Sequence, residues 1–149
     1  MKKHIFLFTL ANLFFSGHLF AQDLSGIWQQ IDDKTGSPKA IIEIRKEANE
    51  TYTGSIIKIT PRPGYSPRET CNNCPAPYTN KPILGMEIIK GLKHIPETNN
   101  YEKGRIIDPL VGKVYDTKIK LNSTGKRLTL RAYMGISTLG RSQTWVRIE

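Results

Sequence analysis

Two runs decide how this chain folds: Lys113-Val114-Tyr115-Asp116-Thr117-Lys118-Ile119-Lys120-Leu121 and Arg127-Leu128-Thr129-Leu130-Arg131-Ala132-Tyr133-Met134, joined across Asn122-Ser123-Thr124-Gly125. In each, apolar and polar residues alternate with period 2, so Tyr115, Thr117 and Ile119 share one face of the first run, and Leu128 and Leu130 one face of the second. The connecting residues have the turn chemistry of a short antiparallel connection. A helix would need apolar residues at i, i+3 and i+4, and no segment of the mature chain shows that spacing convincingly.

The same pattern recurs on both sides of this hairpin. Strands are expected over Gly26 to Ile31, Lys39 to Arg45, Thr51 to Ile59, Gly85 to Lys90, Gly104 to Ile107 and Ser142 to Ile148, making eight with the two above. Turn residues separate them, as at Asp33-Lys34-Thr35-Gly36 and Asp108-Pro109 before Gly112. Sequential strands on short turns pair with their neighbours, and eight can close to remove both edges. The expected fold is therefore all-β, an eight-stranded antiparallel up-and-down barrel.

Two connections are longer. Thr60 to Pro82 contains six of the nine prolines and both cysteines, so it is neither strand nor helix but an ordered long loop or a mobile lid. Gly91 to Lys103 is expected as a second, polar connection.

The N-terminus has the form of a secretory signal peptide. Lys2, Lys3 and His4 precede an apolar run from Ile5 to Phe15, and Leu19-Phe20-Ala21 ends on a small residue. The run is interrupted by Ser16-Gly17-His18, well short of the roughly 20 apolar residues of a spanning helix. Cleavage after Ala21 leaves Gln22 to Glu149 as one domain with no transmembrane segment, placed in the periplasm or secreted. No cysteine follows the cleavage site to carry a lipid. Losing Lys2 and Lys3 takes the formal charge from +9 to +7. The basic residues occur singly, with no Arg-rich helix, which argues against nucleic acid. They read as a solvated surface, the alternative being weak attraction to anionic envelope components.

Cys71-Asn72-Asn73-Cys74 in an exported chain reads as a disulfide of modest stabilising effect. Redox catalysis would need the pair at a helix N-terminus in a βαβ setting, which the flanking prolines do not provide. Structural zinc needs about four ligands, and the mature chain offers Cys71, Cys74 and the single histidine His94. No metal and no cofactor are expected. No nucleophile elbow, phosphate loop or zinc-protease motif is present. A hydrolase remains the enzymatic alternative, with a pair such as Glu43 and Asp116 as acid and base if they met across a cleft.

Several stretches together resemble a known family. These are Gly26-Ile27-Trp28, Asp32-Asp33-Lys34-Thr35-Gly36, the Cys71 and Cys74 pair, Gly85-Met86-Glu87-Ile88-Ile89, Ile107-Asp108-Pro109 with Gly112-Lys113 and Tyr115, and Gly140-Arg141-Ser142-Gln143-Thr144-Trp145-Val146-Arg147. In this order they resemble the exported bacterial family called domain of unknown function 2147, across essentially the whole mature chain. The resemblance implies a lipocalin-like (calycin) barrel. Two positions depart from the pattern: Lys103, where a glycine often precedes Gly104, and Ala132, where glycine usually precedes an aromatic. Lipocalin-like barrels also resemble one another in a Gly-x-Trp on the first strand and a basic residue on the last. Trp28 and Arg147 hold those places, which implies a structural cation-on-indole contact that closes one end and leaves the other as the mouth.

Alternation then selects the inward positions: Ala40, Ile42, Ile44; Met86, Ile88; Tyr115, Thr117, Ile119; Leu128, Leu130; Gln143, Trp145. Among these, with Asp108 at its turn, the candidate ligand-binding residues are Met86, Ile88, Asp108, Tyr115, Thr117, Gln143 and Trp145. Asp108 has a structural alternative, bonding its own turn backbone, or it orients a polar ligand end beside Lys113, Tyr115 or Arg141. The expected partner is a small apolar or amphipathic molecule held without catalysis. The other reading is a protein-interaction module acting through residues 60–82. The same inward faces also describe a barrel filled by its own side chains.

Overall fold

The structure, a computed structural model, describes residues 22–64 and 66–149; the leader proposed for Met1 to Ala21 lies outside the described residues. Eight strands, β1 (Gly26–Ile31), β2 (Pro38–Lys46), β3 (Thr51–Ile59), β4 (Glu87–His94), β5 (Asn100–Asp108), β6 (Lys113–Leu121), β7 (Arg127–Tyr133) and β8 (Gly140–Arg147), form a closed antiparallel barrel in chain order. The β1–β8 seam closes it with Trp28 opposite Arg147 and Gln30 opposite Trp145. Among the described residues no helix is long and apolar enough to cross a membrane.

Strand β6 and the start of β7 lie where the alternation places them. The main departure is at β4 and β5, which run on past Lys90 and begin before Gly104, shrinking the expected connection of residues 91–103 to residues 95–99. The cause is a matched pair of irregularities. Gly91 (φ 76°) and Lys103 (φ 61°) both take left-handed backbone; β4 and β5 keep one register with each other, Lys90 with Arg105 and Lys93 with Glu102, while β4 slips against β3 and β5 against β6 between Tyr101 and Gly104. Period 2 fails on both sides of such bulges, so the strands read as ending there. Lys103, the departure from the family's glycine, is thus an ordinary residue in a glycine-favouring conformation.

One end of the barrel is plugged. Trp28 is fully buried, and its Nε1 donates to the Leu24 carbonyl at 3.0 Å. The Arg147 guanidinium lies 4.3 Å from the indole centroid and donates to the carbonyls of Gly125 (2.7 Å), Ser25 (2.5 Å) and Asp23 (2.6 Å). One cation thereby ties the incoming chain, the β6–β7 turn and β1 together. Gly26 is required in this cluster: at φ 144°, a Cβ there would stand 2.3 Å from an Arg147 Nη1. Burial pushes the Arg147 pKa down.

The other end carries the connections of residues 32–37, 60–86, 109–112 and 134–139. The long connection is ordered by packing rather than by regular structure. Cys71 and Cys74 form a disulfide and are buried, with their Sγ atoms near the Pro109 carbonyl. Thr70 bridges Pro82, Cys71 N–H donates to Lys81, and Ile83 N–H to Glu69. The ribbon sits so close to the β5–β6 turn that a Cβ on Gly112 (φ 72°) would meet the Asn73 carbonyl oxygen at 2.0 Å. The described residues from Glu69 to Met86 thus form a packed loop over this end.

Candidate functional site

Each inward face divides at the same level. Toward the plugged end, Trp28, Ile42, Thr117, Leu128 and Trp145 are buried and close-packed. One step toward the open end on the same strands, Gln30, Ala40, Tyr115, Leu130 and Gln143 line a cavity of about 480 Å³. The interior is therefore neither a filled core nor a through channel: its lower half is solid and its upper half is a cup. The volume is within the range of small-molecule sites, roughly 300–1,000 Å³.

The floor is polar at one place. Gln30 Nε2 donates to Gln143 Oε1 at 3.1 Å, and Trp145 Nε1 donates to the same oxygen at 3.1 Å. Two donors fix the Gln143 amide, so its nitrogen faces away from that pair. The walls are mostly aliphatic, including Ile56, Ile88 and Ile107, with Tyr115 and Tyr133 interposed. Neither tyrosine hydroxyl has a hydrogen-bond partner among the described residues.

Charge gathers at the rim. Lys39, Arg62, Arg68 and Arg141 line the mouth, with Asp108 as the one carboxylate among the described lining residues. Arg141 holds Asp33 at 2.9 and 3.2 Å, which keeps the Asp33 carboxyl below its ordinary pKa and raises that of Arg141. Asp32 faces Lys39 at 3.8 Å and Arg62 at 3.9 Å. Its pKa is lowered chiefly by the backbone N–H groups of Thr35 and Lys34. Asp108 accepts the Leu110 N–H at 2.9 Å, the turn role considered for it, while also lining the cavity. Arg141 is committed to Asp33 rather than to Asp108.

Of the seven candidate ligand-binding residues, the structure brings Ile88, Asp108, Tyr115 and Gln143 to the cavity. Thr117 and Trp145 are on the expected face but below the floor. Thr117 is fully buried with its hydroxyl donating to the Arg131 carbonyl, and Trp145 braces Gln143 from beneath. Met86 precedes β4, which starts at Glu87 rather than Gly85, and its main chain forms a turn with Ile83 and Ile56 while its side chain is buried. Periodicity identified the face but carries no information on depth. Gln30 was legible by parity with Trp28, whereas Arg62 and Arg68 lie on a loop with no period to read.

The acid–base pair considered for hydrolysis does not assemble. Glu43 is on the outer face of β2 with Arg45 at 3.5 Å, and Asp116 is on the outer face of β6 with Arg105 at 3.5 Å. His94 is at the plugged end, its Nε2 2.7 Å from the Thr98 carbonyl and its ring against Tyr101. Among the described residues no three His, Cys, Asp or Glu side chains converge as a metal site.

Comparison with known proteins agrees with this architecture. Residues 26–147 match the family described as uncharacterized protein conserved in bacteria (DUF2147). Among solved structures, the chain is similar to protein HP1028 from the human pathogen Helicobacter pylori, described as belonging to the lipocalin family. The TM-score is 0.70 at 21% identity, covering 85% of this chain and 84% of that one, a likeness of fold. No curated protein matches the sequence.

Proposed function

This chain belongs to the bacterial family DUF2147, and from its cavity we propose that it is an exported carrier that holds a small apolar or amphipathic molecule without altering it. The observation that carries this reading is the cup of about 480 Å³, floored by Gln30 and Gln143 and walled by isoleucines. An apolar cavity with a few placed polar groups is the composition of a ligand site rather than of a packed core. The rim cations suit a polar or anionic end that stays near solvent while an apolar portion occupies the cup. The signal-like segment from Met1 to Ala21 supports export to the periplasm or beyond, with Gln22 to Glu149 as the working domain. The described lining contains no Ser, Cys or His, and its carboxylate is engaged with a backbone N–H, so the reading assigns no reaction to the site.

The test is to purify the exported protein undenatured from its host, extract it for bound small molecules, and titrate it with a fluorescent amphiphile. Wild type is expected to carry or take up one molecule per barrel. Leu130→Trp, which fills the cup from its wall, should abolish binding while leaving the far-ultraviolet circular dichroism unchanged. Equal binding by this variant, or no binding by wild type to any amphiphile tried, overturns the reading.

A further inference from the structure

The exposed apolar side chains of this barrel are concentrated at one end. Eight large hydrophobic residues stand exposed among the described residues, and five of them are on two loops at the open end. Leu110 and Val111 belong to the β5–β6 turn, and Met134, Ile136 and Leu139 to the β7–β8 connection. Ile136 is 60% and Leu139 69% exposed. Leu110, Met134 and Leu139 also line the cavity, so apolar side chains continue from the cup over its lip. Clustered exposure of this kind marks an interaction surface, whereas single exposed leucines do not.

The charge beside these loops indicates what the surface meets. Beside the 134–139 loop, Arg131 on β7 and Arg141 on β8 are the basic residues of the open half of these two strands, which has no carboxylate. Strands β7 and β8 are the wall from which the 134–139 loop projects. Arg131 is built into the loop's base, donating from Nε to the Ser137 carbonyl and from Nη2 to that of Thr138 at 3.2 Å. Lys113 directly follows the other apolar turn, and Arg68 lines the mouth from the long loop. Of the carboxylates at this end, Asp32 and Asp33 each face cations, Asp108 is bonded to its own turn, and Glu69 stands exposed beside Arg68. Apolar tips backed by cations are the pattern of an interfacial anchor on anionic lipid.

We propose that the open rim docks on an anionic lipid bilayer. Val111, Met134, Ile136 and Leu139 enter the headgroup boundary, and Lys113 and Arg68 meet lipid phosphates. The cup then faces the membrane, so an amphiphile passes between bilayer and barrel without crossing water. This docking deepens the carrier reading, but its evidence, the rim, is separate from the cavity.

The experiment is cosedimentation of the purified exported protein with vesicles of phosphatidylcholine alone and of equal parts phosphatidylcholine and phosphatidylglycerol. Binding is expected to the mixed vesicles, weakened by salt, and weak on phosphatidylcholine. A Val111→Asp, Ile136→Asp double variant, altered at two rim residues outside the cavity lining, should lose at least about tenfold in partitioning. Arg68→Gln and Lys113→Gln should each lose about fivefold. Ile148→Asp, at the plugged end, should bind as wild type. Equal partitioning to both lipids, undiminished binding of the double variant, or a loss with Ile148→Asp as large as at the rim overturns the proposal. So does a wild type that pulls down a protein but ignores both vesicles. Titration with the fluorescent amphiphile in the absence of vesicles separates the two readings: the double variant should still bind it, and a wild type that binds vesicles but no amphiphile removes the carrier function while leaving docking intact.

Discussion

Replacing Arg147 tests whether the plugged end is held by one cation. Arg147→Met keeps most of the stem's volume and removes the stack on Trp28 and three donated hydrogen bonds, to Asp23, Ser25 and Gly125. Hydrogen bonds from a charged group contribute about 1.5–3 kcal/mol each, and a partly desolvated cation–π contact about 1 kcal/mol. The full sum would overshoot, because the guanidinium is desolvated in the fold and the carbonyls at this half-buried end regain water once it is gone. An expected loss of about 3–4 kcal/mol follows, comparable with the roughly 3–5 kcal/mol for Trp28→Ala. At a urea slope near 1.5–2 kcal/mol per molar, the midpoint should fall by roughly 2 M. The assay is urea unfolding followed by far-ultraviolet circular dichroism, which stays interpretable when a tryptophan is removed. Combining Arg147→Met with Trp28→Leu should give a coupling energy of about 1 kcal/mol, the part of the loss that belongs to the stack. An Arg147→Met loss below about 1 kcal/mol, or a coupling within about 0.3 kcal/mol of zero, refutes the claim that the cation anchors this end.

Two further outcomes are expected. Asp33 titrates below its ordinary 3.8 because Arg141 binds its charged form, so the pair's stabilisation is fully present above that value and is lost as pH falls through the folded pKa; side-chain carbon NMR should show Arg141→Gln returning Asp33 toward 3.8, and an unmoved titration contradicts the pairing. Lys103 sits at φ 61°, so Lys103→Gly should hold or raise stability by up to about 1 kcal/mol while Lys103→Val lowers it by about 1–2 kcal/mol, and the reverse order in thermal melts would show that the backbone there is not left-handed.

What could be read in advance divides according to what period 2 encodes. It encodes which face a residue occupies, and so Ile42, Tyr115, Ile119, Leu130 and Gln143 all point inward as their spacing required. It does not encode distance along the barrel axis. Thr117 and Trp145 therefore looked equivalent to Tyr115 and Gln143, although one pair is beneath the floor and the other is in the cup. Where the period breaks, at Gly91 and Lys103, two strands read short, because a bulge in each is compensated only by its partner across the sheet. Both features depend on contacts between strands far apart in sequence. The rim was the least legible part, since Arg62 and Arg68 lie among prolines and are brought to the mouth by the ribbon that the disulfide and Gly112 seat on the β5–β6 turn.

The plugged end also explains why the open end can be exposed, apolar and cationic. A barrel with only its β ladders would have two equivalent ends, each needing to be blunted. Here Trp28, Trp145 and Leu128 fill the lower half, and Arg147 satisfies the carbonyls that the incoming chain and the β6–β7 turn would otherwise present to solvent. Stability is therefore drawn from the half that lacks the cavity. The upper half is relieved of packing duty, which permits a space of about 480 Å³ that as an empty closed cavity would cost on the order of 10 kcal/mol. The loops above it are then free to keep Ile136 and Leu139 in solvent, where they contribute nothing to the fold. These exposed side chains stand around the mouth of the cavity, where a molecule held as proposed would enter.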